Sequence, residues 1–111
     1  MLDAIVVMTT TGSRDEADKI AIGLVERNLA ACAQIVGPIS SVFHWEGAVQ
    51  QQDEWLCLLK SARQYYPQLE AALRELHSYD VPEIIALPVV EGCSDYLHWI
   101  HASLAGGADA S

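Results

Sequence analysis

The side chains best suited to chemistry lie in one short polar segment of the second half of the chain. They are His77, Tyr79, Asp80 and Glu83. Imidazole and carboxylate groups both bind divalent metal ions, and Lys60 paired with Glu83 would orient an anionic ligand. The apolar residues 84–90 follow directly, so the segment lies at the mouth of a predicted strand. The same residue types also close ordinary loops by hydrogen bonding, and the residues alone favour neither interpretation.

A second candidate is the pair His98 and His101, which are three residues apart. On a helix this spacing places both imidazoles on one face, as half of a metal site that Asp95 or another chain completes. The alternative is the solvated polar face of a surface helix, and this is the favoured interpretation. His44, beside Trp45, is either a ligand or a half-exposed strand residue.

The three cysteines are an odd number without a Cys-x-x-Cys motif, which excludes a structural zinc site of the usual spacing. Cys32 and Cys57 lie in apolar segments, where a free thiol behaves as a small buried hydrophobe. Cys93 precedes a predicted helix, whose dipole favours a thiolate, but an ordinary loop cysteine is the favoured interpretation. Unpaired thiols, and residues 1–5 without the basic charge of a signal peptide, predict a cytoplasmic location.

Motifs of the common catalytic classes are missing from the sequence. It contains no Gly-x-Ser-x-Gly, no P-loop, no Gly-x-Gly-x-x-Gly and no His-Glu-x-x-His. We therefore expect a protein that is not an enzyme. The alternative is general acid–base catalysis by His77 or Tyr79, for which the sequence shows no nucleophile with a base beside it.

Length and charge limit the partners. The 111 residues form one domain, and a formal charge of −9 without any basic run makes nucleic acid an unfavourable partner. The apolar runs are far shorter than the roughly 18 residues of a membrane span, so no membrane partner is expected. Cations or basic protein surfaces suit this charge better.

The first half of the chain predicts a strand, a helix and a long hairpin. Residues 2–8 form an apolar strand, and Ser13 with Glu16 forms a capping box for a helix that ends near Asn28. The apolar stripe of this helix has helical spacing: Ala17, Ile20, Ala21, Leu24 and Val25. Residues 31–36 are predicted as a strand, Gly37-Pro38 as its turn, and residues 39–45 and 48–60 as the two arms of a hairpin broken at Gly47.

The second half predicts a helix, a strand and a last helix. An amphipathic helix begins between Ser61 and Pro67 and faces the core through Leu69, Ala72, Leu73 and Leu76. Residues 84–90 form a buried strand. Ser94 caps the last helix, whose inward residues are Leu97, Ile100 and Leu104, and residues 105–111 form a flexible tail.

The resulting order, β-α-β-β-α-β, predicts an α+β ferredoxin-like sandwich with an extended hairpin and an extra C-terminal helix, in a single domain of residues 1–104. Its sheet is antiparallel with helices on one face. One chain has only the short last helix for the other face, so we expect copies of the chain to cover it in a homo-oligomer.

Several separate motifs, in this order, resemble the CutA1 family of divalent-ion tolerance proteins. They are Leu-Ala-Ala-Cys-Ala (residues 29–33), Ile-Ser-Ser-Val-Phe-His-Trp-Glu-Gly (39–47), Lys60, His-Ser-Tyr-Asp-Val-Pro-Glu (77–83) and Asp-Tyr-Leu-x-Trp-Ile (95–100). The resemblance extends from Ile5 to about Leu104, almost the whole chain.

The resemblance implies a homotrimer in which long hairpins reach neighbouring chains, and a role in tolerance to copper or other divalent ions such as zinc. It places a binding cleft between subunits, formed by Trp45, Lys60, His77, Tyr79, Pro82 and Glu83. We expect cations to bind in these acidic clefts, with His77 and Glu83 as the first candidate ligands. The family trimer also resembles the PII signalling proteins, which implies an alternative role in binding a small ligand or docking a protein partner.

The chain departs from the family pattern at three places. Ala48 replaces a common lysine, and Ser78 replaces the proline of a His-Pro-Tyr motif. Copper sites proposed for some bacterial members use a cysteine late in the first strand and a His-His pair, where this chain has Met8 and Leu76-His77. Met8 remains a suitable ligand for the soft ion Cu(I).

Overall fold

The computed structural model describes residues 3–106, whose elements follow the predicted order. Their bounds are β1 (Ala4–Thr11), α1 (Arg14–Glu26), β2 (Cys32–Trp45), β3 (Ala48–Ala62), α2 (Tyr66–Leu76), β4 (Ile85–Pro88) and α3 (Ser94–Leu104). A 3-10 turn at Arg63–Tyr65 leads into α2. Among these helices none combines the length and the apolar composition that crossing a membrane requires.

The four strands form one antiparallel sheet in the order β2-β3-β1-β4. This is the ferredoxin-like α+β fold that the sequence predicts. Helices α1 and α2 pack on one face, where the core includes Ile5, Val7, Ile20, Leu24, Cys57, Leu59, Leu69 and Leu73. The β2–β3 hairpin is longer than the sheet, because residues 48–54 of β3 pair only with β2. We call residues 39–54 the hairpin arm.

Helix α1 begins where predicted because Ser13 caps it. Ser13 Oγ accepts a hydrogen bond from the Glu16 N–H at 3.1 Å. The predicted capping box forms only in part, since the Glu16 carboxylate accepts hydrogen bonds from Ser78. The predicted apolar stripe is buried except for Val25, which lies at its margin and is 37% exposed. The helix ends two residues before Asn28, which has a left-handed φ of 58°.

The predicted turn at Gly37-Pro38 is wrong, because β2 continues through it as one strand. Gly37 and Pro38 together lie opposite the single residue Trp55 of β3, which makes a bulge in the ladder. A Cβ atom at position 37 would collide with the Trp55 indole. Glycine is therefore required here for the close approach of a side chain from the partner strand.

Strand β4 is shorter and more exposed than the predicted buried strand of residues 84–90. Only Ile85–Pro88 pair, and all four residues are exposed. The reason is position: β4 is an edge strand that pairs with β1 alone. An apolar run therefore does not distinguish a strand buried within one chain from a strand whose neighbour is missing in that chain.

The last helix begins one residue earlier than predicted. Cys93, and not Ser94, is the N-cap residue, since its backbone is extended and its carbonyl accepts the first helical bond from the Leu97 N–H at 3.0 Å. Ile100 and Leu104 face inward as predicted and are buried, while Leu97 is partly buried. Most of the predicted flexible tail, residues 107–111, lies outside the described residues.

The second face of the sheet is covered only at one end. Ile100 and Leu104 of α3 pack there against Ala4 and Ala62. The strand register places further apolar side chains on this face. We call it the open face, formed by Val6, Met8, Val36, Leu56, Leu58, Ile85 and Leu87. Val36, Ile85 and Leu87 are 47%, 48% and 49% exposed.

Two isoleucines of α1 test the assignment of its buried side. Ile20 is 0% exposed and Ile22 is 58% exposed. We expect Ile20→Ala to lower the free energy of unfolding by about 2–5 kcal/mol, because it leaves a cavity in the core, and Ile22→Ala to change it by less than about 0.5 kcal/mol. Urea denaturation at one protein concentration measures both, and equal effects would contradict the helix orientation.

Candidate functional site

His77 lies directly after α2, and its imidazole is fully engaged in hydrogen bonds. The side chain is 0% exposed. Nε2 lies 2.8 Å from the Thr10 carbonyl oxygen, and Nδ1 lies 3.1 Å from the Tyr79 nitrogen, whose N–H donates to it. Since a carbonyl oxygen only accepts and an amide N–H only donates, the neutral ring carries its proton on Nε2. Neither nitrogen has a free lone pair.

Glu16 connects the N-terminus of α1 to the loop after α2. Its Oε2 accepts a hydrogen bond from the Ser78 N–H at 2.7 Å, and its Oε1 accepts one from Ser78 Oγ at 3.1 Å. Oε2 also lies 3.7 Å from Nδ1 of His77. Ser78 therefore supplies two donors, an N–H and a hydroxyl, and these hold the loop after α2 against α1.

Tyr79 extends the same network to β3. Its hydroxyl donates to Oε2 of Glu54 at 3.0 Å and accepts a hydrogen bond from Nε2 of Gln52 at 3.2 Å. Burial, followed by the hydrogen bond to Glu54, raises the pKa of Tyr79 above its usual value. A Cβ atom at Gly12 would lie 3.0 Å from the Tyr79 hydroxyl oxygen, so glycine makes room for the ring. We call Glu16, Glu54, His77, Ser78 and Tyr79 the loop network.

Lys60 lies on the open face of the sheet and is paired with Val6 of β1, four residues along that strand from Thr10. Its Nζ donates to Oε1 of Gln34 at 2.9 Å and lies 5.6 Å from the centroid of the Tyr96 ring. Cys32, directly opposite Lys60 in the ladder, places its Sγ 3.4 Å from the Tyr96 hydroxyl. The hydrogen bond with Cys32, together with burial, raises the pKa of Tyr96 to about 12. Within one chain Lys60 therefore does not reach His77.

The remaining predicted cleft residues are also apart from the loop network. Trp45 lies at the tip of the hairpin arm and is 55% exposed. Pro82 is half-buried and Glu83 is exposed in the segment before β4. Of the six predicted residues, His77 and Tyr79 are in contact, joined by a hydrogen bond and with ring centroids 4.9 Å apart.

The three cysteines differ from one another in burial more than the sequence indicates. Cys57 is buried as predicted, and burial, followed by the charges of Asp18 and Glu16, raises the pKa of its thiol to about 11. Cys32 is only partly buried, which corrects the prediction, because its side chain lies on the face that α1 and α2 do not cover. Cys93 is exposed.

Sequence reasoning missed the partners that hold the loop network together. The sequence indicates Glu16 only as part of a helix cap, although its second partner, Ser78, is 62 residues away. Glu54 and Thr10 carry no signal beyond their places in predicted strands. Contacts over such separations leave no spacing pattern in a single sequence.

The chain matches the family model for the CutA1 divalent ion tolerance protein over residues 5–103. It belongs to the CutA1 family. It is 43% identical over 95 residues to the divalent-cation tolerance protein CutA of Thermus thermophilus, covering 86% of this chain and 92% of that protein. The crystal structure of CutA1 from Oryza sativa aligns with a TM-score of 0.89 at 37% identity, over 92% of this chain and 94% of that chain.

Membership in the CutA1 family leaves the compartment open. A relative from Arabidopsis thaliana, 41% identical over 90% of this chain and 55% of that protein, is a chloroplastic CutA. The cytoplasmic location therefore remains a prediction. The family is one of divalent-cation tolerance and is not a known enzyme family.

A single CutA1 protomer of this sequence does not supply a metal centre at the predicted ligands. Across residues 3–106, no three His, Cys, Asp or Glu side chains are grouped so as to hold an ion. His77 can bind a metal only after one of its two hydrogen bonds breaks, and Glu83 is exposed.

Replacing Tyr79 tests the loop network. We expect Tyr79→Phe to lower the free energy of unfolding by about 1–3 kcal/mol near pH 8, because the buried carboxylate of Glu54 loses its hydroxyl donor. A raised pKa stabilises the fold below the unfolded value of about 10, and this contribution is lost as the pH rises through the folded value. The gap between wild type and variant should therefore narrow near pH 11.

The matched control is Tyr65→Phe, since Tyr65 is also partly buried but its hydroxyl forms no side-chain hydrogen bond among residues 3–106. Urea denaturation at the two pH values, at one protein concentration, gives both differences. A loss of stability for Tyr79→Phe no larger than that of the control would contradict the hydrogen bond to Glu54.

Proposed function

We propose that this CutA1 protein is a non-catalytic, cytoplasmic homotrimer that confers tolerance to divalent cations, such as copper or zinc, by binding them in clefts between protomers. The observation that carries the proposal is the open face of the sheet. An apolar surface of this kind marks a protein–protein interface, and here it is continuous with two strand edges that pair with no other strand within residues 3–106.

The sheet edges support an assembly that closes into a ring. Strands β2 and β4 form the two ends of the sheet, and exposed strand edges readily pair with other chains. Contact between two different surfaces of identical chains is heterologous, and it forms a closed ring when the rotation from one copy to the next closes. A trimer of this sort would cover Val36 beside one edge and Ile85 and Leu87 beside the other.

The shape of the chain supports clefts between protomers as the binding sites. The molecule measures 48 × 26 × 23 Å, and the hairpin arm carries Trp45 away from the sheet. Lys60 lies on the open face and Glu83 lies just before β4, the edge strand. These residues meet only if one protomer's arm and open face approach the loop of a neighbour.

Charge supports cations as the ligands. Each chain has a formal charge of −9, so three copies carry three times −9, or −27. Such a field raises the local concentration of cations whatever the individual ligands. Glu83 is the first candidate ligand because its carboxylate is exposed, and His77 joins it only if the hydrogen bond from the Tyr79 N–H opens.

One observation favours the alternative, a PII-like sensor of a small anion. Among residues 3–106 the ion pairs do not involve Lys60, so its ammonium group is uncompensated on the open face. Thermal-shift measurements with carboxylates and nucleotides, and with divalent ions, separate the two roles. Stabilisation by an anion that disappears in Lys60→Gln, without stabilisation by metals, would support the sensor and contradict the cation proposal.

A charge placed on the open face tests the assembly. We expect wild type to be a trimer by light scattering and Leu87→Asp to be a monomer, because the interface would have to bury an unpaired carboxylate. Val90→Asp is the matched control, since Val90 is 87% exposed and lies outside β4. A Leu87→Asp protein that remains trimeric would contradict the proposed interface.

Native mass spectrometry with Zn²⁺ or Cu²⁺ tests the clefts. We expect the wild-type trimer to retain bound ions. Glu83→Gln should weaken their binding, and the Leu87→Asp monomer should not retain them. Ion uptake at Glu83 that is the same in trimer and monomer would contradict binding between protomers.

A further inference from the structure

A thiol, a phenol and an ammonium group lie together on the face of the sheet that α1 and α2 do not cover. Sγ of Cys32 lies 3.4 Å from the Tyr96 hydroxyl oxygen, and Nζ of Lys60 lies 5.6 Å from the centroid of the same ring. Cys32 and Lys60 are direct partners in the β2–β3 ladder, so their Cβ atoms are about 4.5–5.5 Å apart. We call Cys32, Gln34, Lys60, Tyr96 and Trp99 the thiol cluster.

The Tyr96 hydroxyl is a hydrogen-bond donor for the sulfur. The hydrogen bond with Cys32, followed by burial, raises the pKa of Tyr96 to about 12, so the hydroxyl keeps its proton near pH 8. The thiolate is the reactive form of a cysteine, and it can only accept hydrogen bonds. When Cys32 reacts, the Tyr96 hydroxyl is therefore in place to donate to the charge on its sulfur.

Lys60 and two aromatic rings supply a place for a reagent beside the sulfur. Nζ of Lys60 donates one proton to Oε1 of Gln34 at 2.9 Å, and an ammonium group has three. Within residues 3–106 the ion pairs leave Lys60 without a carboxylate partner. Tyr96 and Trp99 stack with ring centroids 5.6 Å apart and are 42% and 37% exposed. A flat ring can stack on this surface while a carboxylate binds the ammonium group.

The other two cysteines have different surroundings. Cys57 is 0% exposed in the core beneath the helices. Cys93 is exposed as the N-cap residue of α3. It lies two residues from both Glu91 and Asp95 in the sequence, and these negative charges repel anions. The chain therefore contains a buried thiol and an exposed thiol with which Cys32 can be compared.

We propose that Cys32 is a modification site that forms a mixed disulfide with a small disulfide carrying carboxylate groups. The thiolate of Cys32 attacks one sulfur of the reagent, a new S–S bond forms, and the other half of the reagent leaves as a thiolate. The proton of Cys32 passes to water, and Tyr96 keeps its own. The groups all belong to one protomer, so the reaction does not depend on cation binding or on the trimer.

Two probe disulfides of different charge test the site. They are dithiobis(nitrobenzoate), which carries two carboxylates, and dithiodipyridine, which is neutral. The purified full chain is treated with a limiting amount of each near pH 8, and mass spectrometry of its peptides measures the mixed disulfide at each cysteine. We expect the ratio of modified Cys32 to modified Cys93 to be about 3- to 5-fold higher with the anionic probe, the size of an exposed ion pair. Cys57 should stay unmodified.

Three variants assign this selectivity to the thiol cluster. Lys60→Gln should remove it. Lys19→Gln is the matched control with the same loss of charge and should preserve it, because Lys19 is exposed on α1, on the other side of the sheet. Tyr96→Phe keeps the ring and removes the hydroxyl, so it should slow both probes at Cys32 by about 3- to 10-fold.

Three results would overturn the inference. They are a ratio that is the same for the two probes, a Lys60→Gln protein that behaves as Lys19→Gln does, and a Tyr96→Phe protein whose Cys32 reacts as in wild type. Neither probe measures cation binding or the oligomeric state, so failure of this inference and failure of the proposed function are distinguishable.

Discussion

A sheet has two faces, and this chain supplies a full layer of helices for only one of them. Helices α1 and α2 bury that face around Val7, Leu59 and Leu73. On the other face α3 covers one end of the sheet, and apolar side chains such as Leu87 remain at the surface. Covering of this face by further copies of the chain would explain three features of the structure. They are the free edges of β2 and β4, the position of Lys60 and the length of the hairpin arm.

Hydrogen bonding decides which histidines are available to a ligand. His77 occurs in the motif that the sequence favours most as a binding site, but both its ring nitrogens form hydrogen bonds that hold the loop after α2 against β1. Breaking either bond would leave a buried polar group without a partner, which is costly. His98 and His101 lie on a helix that the sequence predicts to be an ordinary surface helix, and each ring donates its Nδ1 proton to a carbonyl oxygen, which leaves Nε2 without a hydrogen-bond partner among residues 3–106. Whether a histidine can bind a ligand therefore depends on the hydrogen-bond partners of its two ring nitrogens, and not on the sequence motif in which it occurs.

Local patterns predicted the order of elements and the fold. The α1 stripe, the Ser13 cap and the amphipathic α2 depend on residues only a few positions apart, so one sequence contains the whole signal. The bulge at Gly37 depends on Trp55 of another strand, and the loop network joins Glu16 to Ser78 across the fold. These features are determined by tertiary contacts, and the exposure of β4 is determined by the absence of a neighbour within the chain. The predicted cleft remains a prediction, because it lies between chains and the structure describes one chain.

Hydrogen exchange at the two sheet edges tests the central claim, that copies of the chain complete the sheet, most directly. Peptides spanning Cys32–Trp45 and Ile85–Pro88 contain amides that face outward from β2 and β4. If other copies pair with these edges, the outward amides should exchange as slowly as those of the interior strand β1, and faster when dilution dissociates the assembly. Outward amides that exchange freely at every protein concentration would contradict the account.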